Sequence, residues 1–236
     1  MKKIFFYFRD FFRQSFSPSF YIALALFTAL ILVINFSFNL ENGIIDRRYY
    51  GTFLHFVFFF ILNAFVYLVS VLFYTFFNKT GYLLQKKEFI LKVLCFLVLI
   101  TLKRSFYWHK TMIPARLCYQ QWLVQIMQNA YGLVVVLLPL FLFYFFCEKN
   151  NKNFYGFNNK NFDFKPYFII LLTVAPVIAI ASWSPSFTSY YPILKASENT
   201  SASLCLQVPE IVTAAFYEFF YLLDFLNTEI LFRGFL

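Results

Sequence analysis

Charged side chains are scarce in this 236-residue sequence, because Asp, Glu, Lys and Arg together hold only 13% of the positions. A soluble globular domain usually has about a quarter of its residues charged. Histidine is scarcer still, with two residues, and the six glycines form neither a P-loop nor a G-x-G-x-x-G motif. The H-E-x-x-H and G-x-S-x-G motifs are also missing. These absences exclude the soluble enzyme classes that depend on those motifs.

Apolar and aromatic residues take the place of the missing charge. The sequence is 61% hydrophobic and 25% aromatic, with 38 phenylalanines. One water-soluble core of this size cannot bury so many rings without leaving large apolar patches exposed. The composition therefore predicts an all-α, multi-pass transmembrane bundle of five or six helices, forming one domain over residues 1–236.

Six apolar segments are candidates for those helices: Phe20–Phe38, Phe53–Phe77, Phe89–Leu102, Tyr131–Phe146, Tyr167–Trp183 and Ile211–Leu236. The first follows a basic, aromatic N-terminus and has no small-residue cleavage site, so we expect an uncleaved span. The third is short and contains Lys92. It can span only if Lys92 at one end, and Lys103 and Arg104 at the other, extend toward the lipid headgroups.

The net charge of +9 comes from cations that lie mostly between the apolar segments. They form no dense basic stripe, so we predict no nucleic-acid partner. With six spans and a cytoplasmic N-terminus, inner segments hold eleven Lys and Arg and outer loops hold seven. If the third segment lies on the membrane instead, the split becomes thirteen to six. We favour six spans, with the N-terminus inside.

The four cysteines are far apart in sequence, with no C-x-x-C pair and no neighbouring histidine. This spacing indicates neither a zinc site nor a disulfide framework. We expect free thiols that pack as small hydrophobic residues, and we predict no metal and no cofactor.

Two connecting segments and the two histidines complete the prediction. The mixed aromatic and polar stretch Trp108–Asn129 is typical of an interfacial helix. The Asn- and Lys-rich stretch Glu148–Lys165 is typical of a solvated loop. We interpret His55 and His109 as polar side chains at the membrane boundary.

The last apolar segment carries four charged residues, and a helical projection divides them between two faces. With Glu218 at zero and about 100° per residue, Glu229 lies near 20° and Arg233 near 60°. Asp224 and Asn227 point to the far side. We expect the stripe formed by Glu218, Glu229 and Arg233 to face other helices.

Two interpretations of Glu229 and Arg233 follow from chemistry alone. In the first, Glu229 is a general base or orients water, and Arg233 fixes its carboxylate by a charge-assisted hydrogen bond. In the second, the two residues form an i,i+4 ion pair that only neutralises two buried charges. Charges at membrane depth are costly and are commonly functional, which makes the first interpretation worth testing.

The final thirteen residues, D-F-L-N-T-E-I-L-F-R-G-F-L, contain the pattern T-E-x-x-x-R-G-F. This resembles the E-E-x-x-x-R signature of the CPBP intramembrane peptidases, the CAAX-protease, bacteriocin-processing and Abi-like family. The segment Ser186–Pro192 is similar to an S-F-x-x-x-Y-P loop that precedes this signature in some bacterial members. The resemblance implies peptide hydrolysis within the membrane, with Glu229 and Arg233 as the catalytic residues. It also implies a membrane-bound peptide substrate and a location in the bacterial cytoplasmic membrane, with the lipid bilayer as partner.

The sequence departs from this family at two points. Thr228 occupies the position of the first glutamate, and the later F-x-x-x-H and H-x-x-x-N or H-x-x-x-D motifs are missing. We therefore expect a chain truncated after the first motif (residues 228–236) and inactive by itself. The alternatives are a non-catalytic bacteriocin-immunity type of membrane protein and a small transporter or channel subunit.

Overall fold

The computed structural model describes residues 6, 9–12, 16–105, 111–148, 154–155 and 165–235. Within these ranges the chain is helical and has no β-strand. The prediction of an all-α fold is therefore confirmed. The apolar composition explains this result, since a helix satisfies its backbone hydrogen bonds within its own segment in lipid.

The α-helices of the described chain are numbered here in sequence order: α1 Pro18–Phe38, α2 Phe53–Asn78, α3 Lys87–Ser105, α4 Gln120–Cys147, α5 Lys165–Ala181, α6 Pro185–Tyr190, α7 Ala196–Leu206 and α8 Glu210–Glu229. A π-helical segment, Leu40–Asp46, and a single α-turn, Arg47–Tyr49, connect α1 to α2. A 3₁₀ turn, Gly81–Gln85, precedes α3. A second π-helical segment, Ile230–Phe235, continues α8 without a break.

Three helices are long and apolar enough to cross a membrane: α1, α2 and α4. Their lengths of 21, 26 and 28 residues meet the requirement of about 20 residues for a span. Few of their side chains are buried within the bundle, so most of the apolar surface faces outward. The chain is thus a membrane protein with at least these candidate spans.

Helices α3, α5 and α8 differ from those three in length or in charge. The apolar part of α5, Leu171–Ala181, is shorter than a full span, although every described side chain within it is exposed or half-buried. Helices α3 and α8 contain charged residues that interrupt their apolar surface. A total of five or six spans therefore stays a prediction.

Two buried cores hold the helices together. The larger joins α3, α4 and the second π-helical segment, and its most buried members are Val136, Leu140, Leu231 and Phe235. The smaller lies where α4, α7 and α8 meet, and it contains Trp122, Ile126, Ala202 and Tyr217.

The smaller core changes the interpretation of the stretch Trp108–Asn129. Residues 106–110 lie outside the described chain, and α4 begins at Gln120 and runs without a break to Cys147. Trp122 donates from Nε1 to the backbone oxygen of Thr213, at 3.1 Å. The expected separate interfacial helix is therefore wrong for residues 120–129, since burial of Trp122 makes them the first turns of α4.

Candidate functional site

The predicted pair of Glu229 and Arg233 forms at the end of α8. Glu229 is the last residue of the α-helix, and Arg233 lies one turn further along in the π-helical segment. The Glu229 Oε2 atom is 3.0 Å from the Arg233 Nε atom. The expected contact between these side chains is present because four-residue spacing brings them together on a helix.

The stripe that carries this pair does not face other helices. The Arg233 side chain is 79% exposed and that of Glu229 is 36% exposed, and Glu218 is exposed as well. The expectation that these three residues turn toward the bundle is therefore wrong. The physical reason lies on the opposite face of α8, which carries the polar groups that find partners on other helices.

That opposite face places Asp224, Asn227 and Thr228 against α3 and α4. Lys103 Nζ lies 2.8 Å from Asp224 Oδ1 and 3.0 Å from Asp224 Oδ2. The same ammonium donates to Thr228 Oγ1 at 3.2 Å, and the Thr228 hydroxyl donates to the Asp224 carbonyl at 3.0 Å. Asn227 Nδ2 donates to the Gly132 carbonyl at 2.9 Å. We call Lys103, Asp224 and Thr228 the α3–α8 cluster.

Gly132 makes room for the α3–α8 cluster. A Cβ atom built on this glycine would lie 2.6 Å from Asp224 Oδ1 and 3.2 Å from Lys103 Cε. No side chain fits at that distance without moving the aspartate. The missing side chain thus lets α4 and α8 approach closely enough for Asn227 to reach the α4 backbone, as small residues do at helix contacts in membranes.

Three cations of α3 bind carboxylates from other elements. Besides Lys103, Arg104 Nη2 lies 3.0 Å from Asp46 Oδ2, and Lys92 pairs with Glu148. Whether α3 spans the membrane with these cations near the headgroups stays a prediction. Pairing neutralises each cation within the bundle, which lowers the penalty for holding it at membrane depth.

His55 lies near the start of α2 and is buried within the protein, and its predicted position at the membrane boundary stays a prediction. It is 2% exposed, and its Nε2 atom lies 2.8 Å from Asp46 Oδ1. Asp46 thus contacts both His55 and Arg104, and it ties the segment before α2 to the end of α3. His109 lies outside the described residues.

Residues of the connection after α4 pack against the larger core, close to Lys92. The predicted solvated loop runs from Glu148 to Lys165. The structure describes four of its residues: Glu148, Phe154, Tyr155 and Lys165, which is the first residue of α5. Tyr155 is buried against Phe235, with ring centroids 5.4 Å apart. Burial, followed by the nearby Glu148 carboxylate, raises the pKa of the Tyr155 hydroxyl above its ordinary value. Tyr155 therefore stays neutral and acts here as a packing residue.

Two of the four cysteines form a disulfide, so the expectation of four free thiols is wrong. Cys118 and Cys205 are joined, and Cys95 and Cys147 are free. No local pattern indicates this pairing, because 87 positions separate the two cysteines and they meet only when α7 packs beside the start of α4. No group of three or more His, Cys, Asp or Glu residues that could hold a metal occurs in the described part of the chain.

The arrangement offers one oriented carboxylate on the outside of α8 and three interhelical charge contacts on α3. Glu229 could accept a proton or orient a water molecule, and Arg233 fixes its position. The buried His55 contacts Asp46, Tyr50 and Phe59, and none of these contacts involves Glu229. Searches of family models, curated proteins and solved structures found no match to this chain. The resemblance carried by residues 224–236 therefore stays a prediction.

Proposed function

We propose that this chain is an integral protein of the bacterial cytoplasmic membrane that carries part of a CPBP-type site for peptide hydrolysis. Glu229 would be the catalytic carboxylate and Arg233 its orienting partner. The supporting observation is the 3.0 Å contact between these two side chains at the end of α8. The peptide substrate would be membrane-bound, as the family resemblance implies.

We further propose that the chain by itself does not hydrolyse peptides. One carboxylate can activate water, but a departing amine also needs a proton donor, and the family draws on histidines for this set of roles. Thr228, at the position of the first family glutamate, is engaged with Lys103 and turns away from Arg233. Removing members of a catalytic set typically lowers the rate by several orders of magnitude.

A second candidate is binding without catalysis, as in an immunity-type membrane protein. The exposure of Arg233, at 79% of its side chain, favours this candidate. Water activation works best in a closed site that excludes bulk solvent, whereas an exposed ion pair is suited to contact a charged group on a partner. Both candidates use the same face of α8.

The orientation of the chain in the membrane is part of this proposal. Structural disulfides are typical of oxidising compartments, so Cys118–Cys205 supports an extracytoplasmic position for the start of α4 and for α7. Helix α4 would then end on the cytoplasmic side at Cys147. If α1, α2 and α3 each cross the membrane, counting back from α4 gives a cytoplasmic N-terminus.

The test of hydrolysis compares three proteins in liposomes: the unmodified chain, the Glu229→Gln variant and the Glu218→Gln variant. Glu218 is the matched control, since it is an exposed carboxylate on the same face of α8. Each is incubated with a panel of peptides that includes prenylated C-termini, and the products are measured by mass spectrometry. We expect no cleavage by any of the three. Cleavage that is lost in Glu229→Gln and kept in Glu218→Gln would show that the chain is active by itself.

A second arm tests the family assignment. The genomic DNA after codon 236 is translated in all frames and searched for F-x-x-x-H and H-x-x-x-N, and any such segment is appended to the chain. Hydrolysis by the extended protein that depends on Glu229 would support the peptidase candidate. Stable capture of a peptide without cleavage, weakened by Arg233→Met, would support the binding candidate instead.

A further inference from the structure

A cavity of about 590 Å³ lies between α1, α2 and α3, and neither Glu229 nor Arg233 lines it. Its size is in the range of sites that hold one small organic molecule. Most of its wall is apolar and is formed by isoleucine, leucine, valine and phenylalanine side chains, with Val66 of α2 among them. The walls therefore suit an alkyl chain.

One wall of this cavity carries a polar stripe. Asn63, Tyr67 and Ser70 of α2 all line it, and their spacing of four and three residues puts them on one face of the helix. Asn63 donates from Nδ2 to Thr101 Oγ1 at 3.2 Å, and Ser70 donates to the Val66 carbonyl at 2.8 Å. Asn63 and Ser70 thus have partners within the protein, and the stripe adds polar atoms to a wall that is otherwise apolar.

Glu41 lies at the end of the cavity where α1 gives way to the first π-helical segment. Its carboxylate accepts a hydrogen bond from Asn35 Nδ2 at 3.3 Å, and its backbone N–H donates to Asn35 Oδ1 at 3.2 Å. This exchange fixes the carboxylate at the end of α1. Among the described residues that line the cavity, Glu41 is the charged one, and none of the ion pairs formed between described residues includes it.

This geometry differs from that of the acids that pair with cations in the bundle, whereas Glu198, which accepts a hydrogen bond from Gln125 Nε2 at 2.7 Å, also has an amide partner. Asp46, Glu148 and Asp224 each bind a cation, whereas Glu41 is half-buried at the end of an apolar cavity with an amide as its partner. A carboxylate in such a setting is stabilised by a cation that brings its own apolar surface. A long-chain alkylammonium has both parts, with the ammonium at Glu41 and the alkyl chain along α2.

We propose that the cavity between α1, α2 and α3 binds an alkylammonium amphiphile, with Glu41 as the residue that selects the positive headgroup. The inference does not depend on the proposed peptidase or binding function of α8. The ammonium could come from a bilayer lipid such as phosphatidylethanolamine or from a free long-chain amine. Both sources present the same chemistry to Glu41.

The experiment uses the full chain in phosphatidylglycerol nanodiscs and two photoreactive probes of equal chain length, a diazirine-bearing alkylammonium and its neutral alcohol. Peptide mapping by mass spectrometry then measures labelling of α1 and α2. We expect the ammonium probe to label the cavity residues about tenfold more than the alcohol, because only the ammonium makes a hydrogen bond to Glu41 in which both partners are charged. Glu41→Gln should remove this preference. Glu88→Gln is the matched control, since this exposed acid of α3 lies outside the cavity and should leave the preference unchanged.

Equal labelling by the two probes, or a preference that survives Glu41→Gln, would overturn the role of Glu41. Val66→Trp provides a second variant, since a large side chain on the cavity wall should abolish labelling by both probes while lipid-facing α5 stays labelled. Labelling of α1 and α2 that persists in Val66→Trp would overturn the cavity as the binding site. Adding phosphatidylethanolamine to the nanodiscs then distinguishes the two sources of the ammonium. Reduced labelling by the ammonium probe identifies a bilayer lipid as the ligand, and unchanged labelling identifies a free amine.

Discussion

Lys103 Nζ and Asp224 Oδ1 lie 2.8 Å apart, although 121 positions separate the two residues in sequence. This contact joins α3 to α8 and determines which face of α8 turns inward. Both side chains are about one-quarter exposed, so the pair lies partly within the protein.

Gly132→Ala should destabilise the protein, although alanine normally favours a helix over glycine by about 1 kcal/mol. The new Cβ would lie 2.6 Å from Asp224 Oδ1 and would push the carboxylate away from Lys103. Gly81→Ala is the control, because no atom lies within 4 Å of its Cβ position. Thermal midpoints in detergent, measured by fluorescence-detected size-exclusion chromatography, check this. A midpoint for Gly132→Ala at or above that of the unmodified chain would contradict the prediction.

Removing one partner of the Lys103–Asp224 pair should lower stability by about 2–3 kcal/mol, since the remaining charge loses its partner in a partly buried site. The double variant Lys103→Met/Asp224→Leu should be less damaged than either single variant, because it leaves no unpaired charge. Glu229→Gln and Arg233→Met should change stability by no more than about 1 kcal/mol, since that pair is largely exposed. A double-mutant cycle on thermal midpoints measures the difference between the two pairs. Equal coupling energies in the Lys103–Asp224 and Glu229–Arg233 pairs would contradict the distinction between an inner and an outer face of α8.

Thr228→Glu should partly restore the stability lost in Asp224→Asn. The Thr228 hydroxyl lies 3.2 Å from Lys103 Nζ, so a carboxylate at this position can reach the same ammonium. Thr228→Gln in the Asp224→Asn background is the control, because it adds a similar side chain without the charge. If the glutamine variant restores as much as the glutamate variant, shape and not charge explains the recovery.

The orientation of the chain in the membrane can be tested with the two free cysteines. Cys95 is replaced by serine, so that Cys147 is the one free thiol while the Cys118–Cys205 disulfide is intact. Cys147 is exposed at the end of α4. We expect a membrane-impermeant maleimide to label it only after the membrane of intact spheroplasts is permeabilised. Cys118 and Cys205 should be labelled from outside, and only after a reductant opens their disulfide. Labelling of Cys147 in intact spheroplasts would reverse the proposed orientation.

Local sequence patterns predicted the helices and the contact between Glu229 and Arg233, because both depend on residues within one turn of each other. They could not predict which face of α8 turns inward. Apolar content does not distinguish a lipid-facing side from a buried one, since lipid tails and protein cores are both apolar. The choice depended on Lys103 and Gly132, which lie on other helices far away in sequence.

The disulfide and His55 show the same limit. Cys118 and Cys205 meet through the packing of α7 on α4, and no spacing rule connects two cysteines 87 positions apart. The burial of His55 depends on Asp46, which reaches it through the irregular π-helical segment before α2. Contacts made by irregular connections leave little periodic signal in a sequence.

The charged pairs at the two ends of α3 also concern the bilayer itself. The apolar residues between Lys92 and Lys103 rise only about 15 Å along the helix axis, against a hydrocarbon core of about 30 Å. Helix α1, with 21 residues, covers the full thickness at about 31 Å. Such a hydrophobic mismatch costs fractions of a kcal/mol for each ångström and is relieved when the bilayer thins beside the shorter helix. If α3 crosses the membrane, acyl-chain length is therefore a determinant of where this protein is stable.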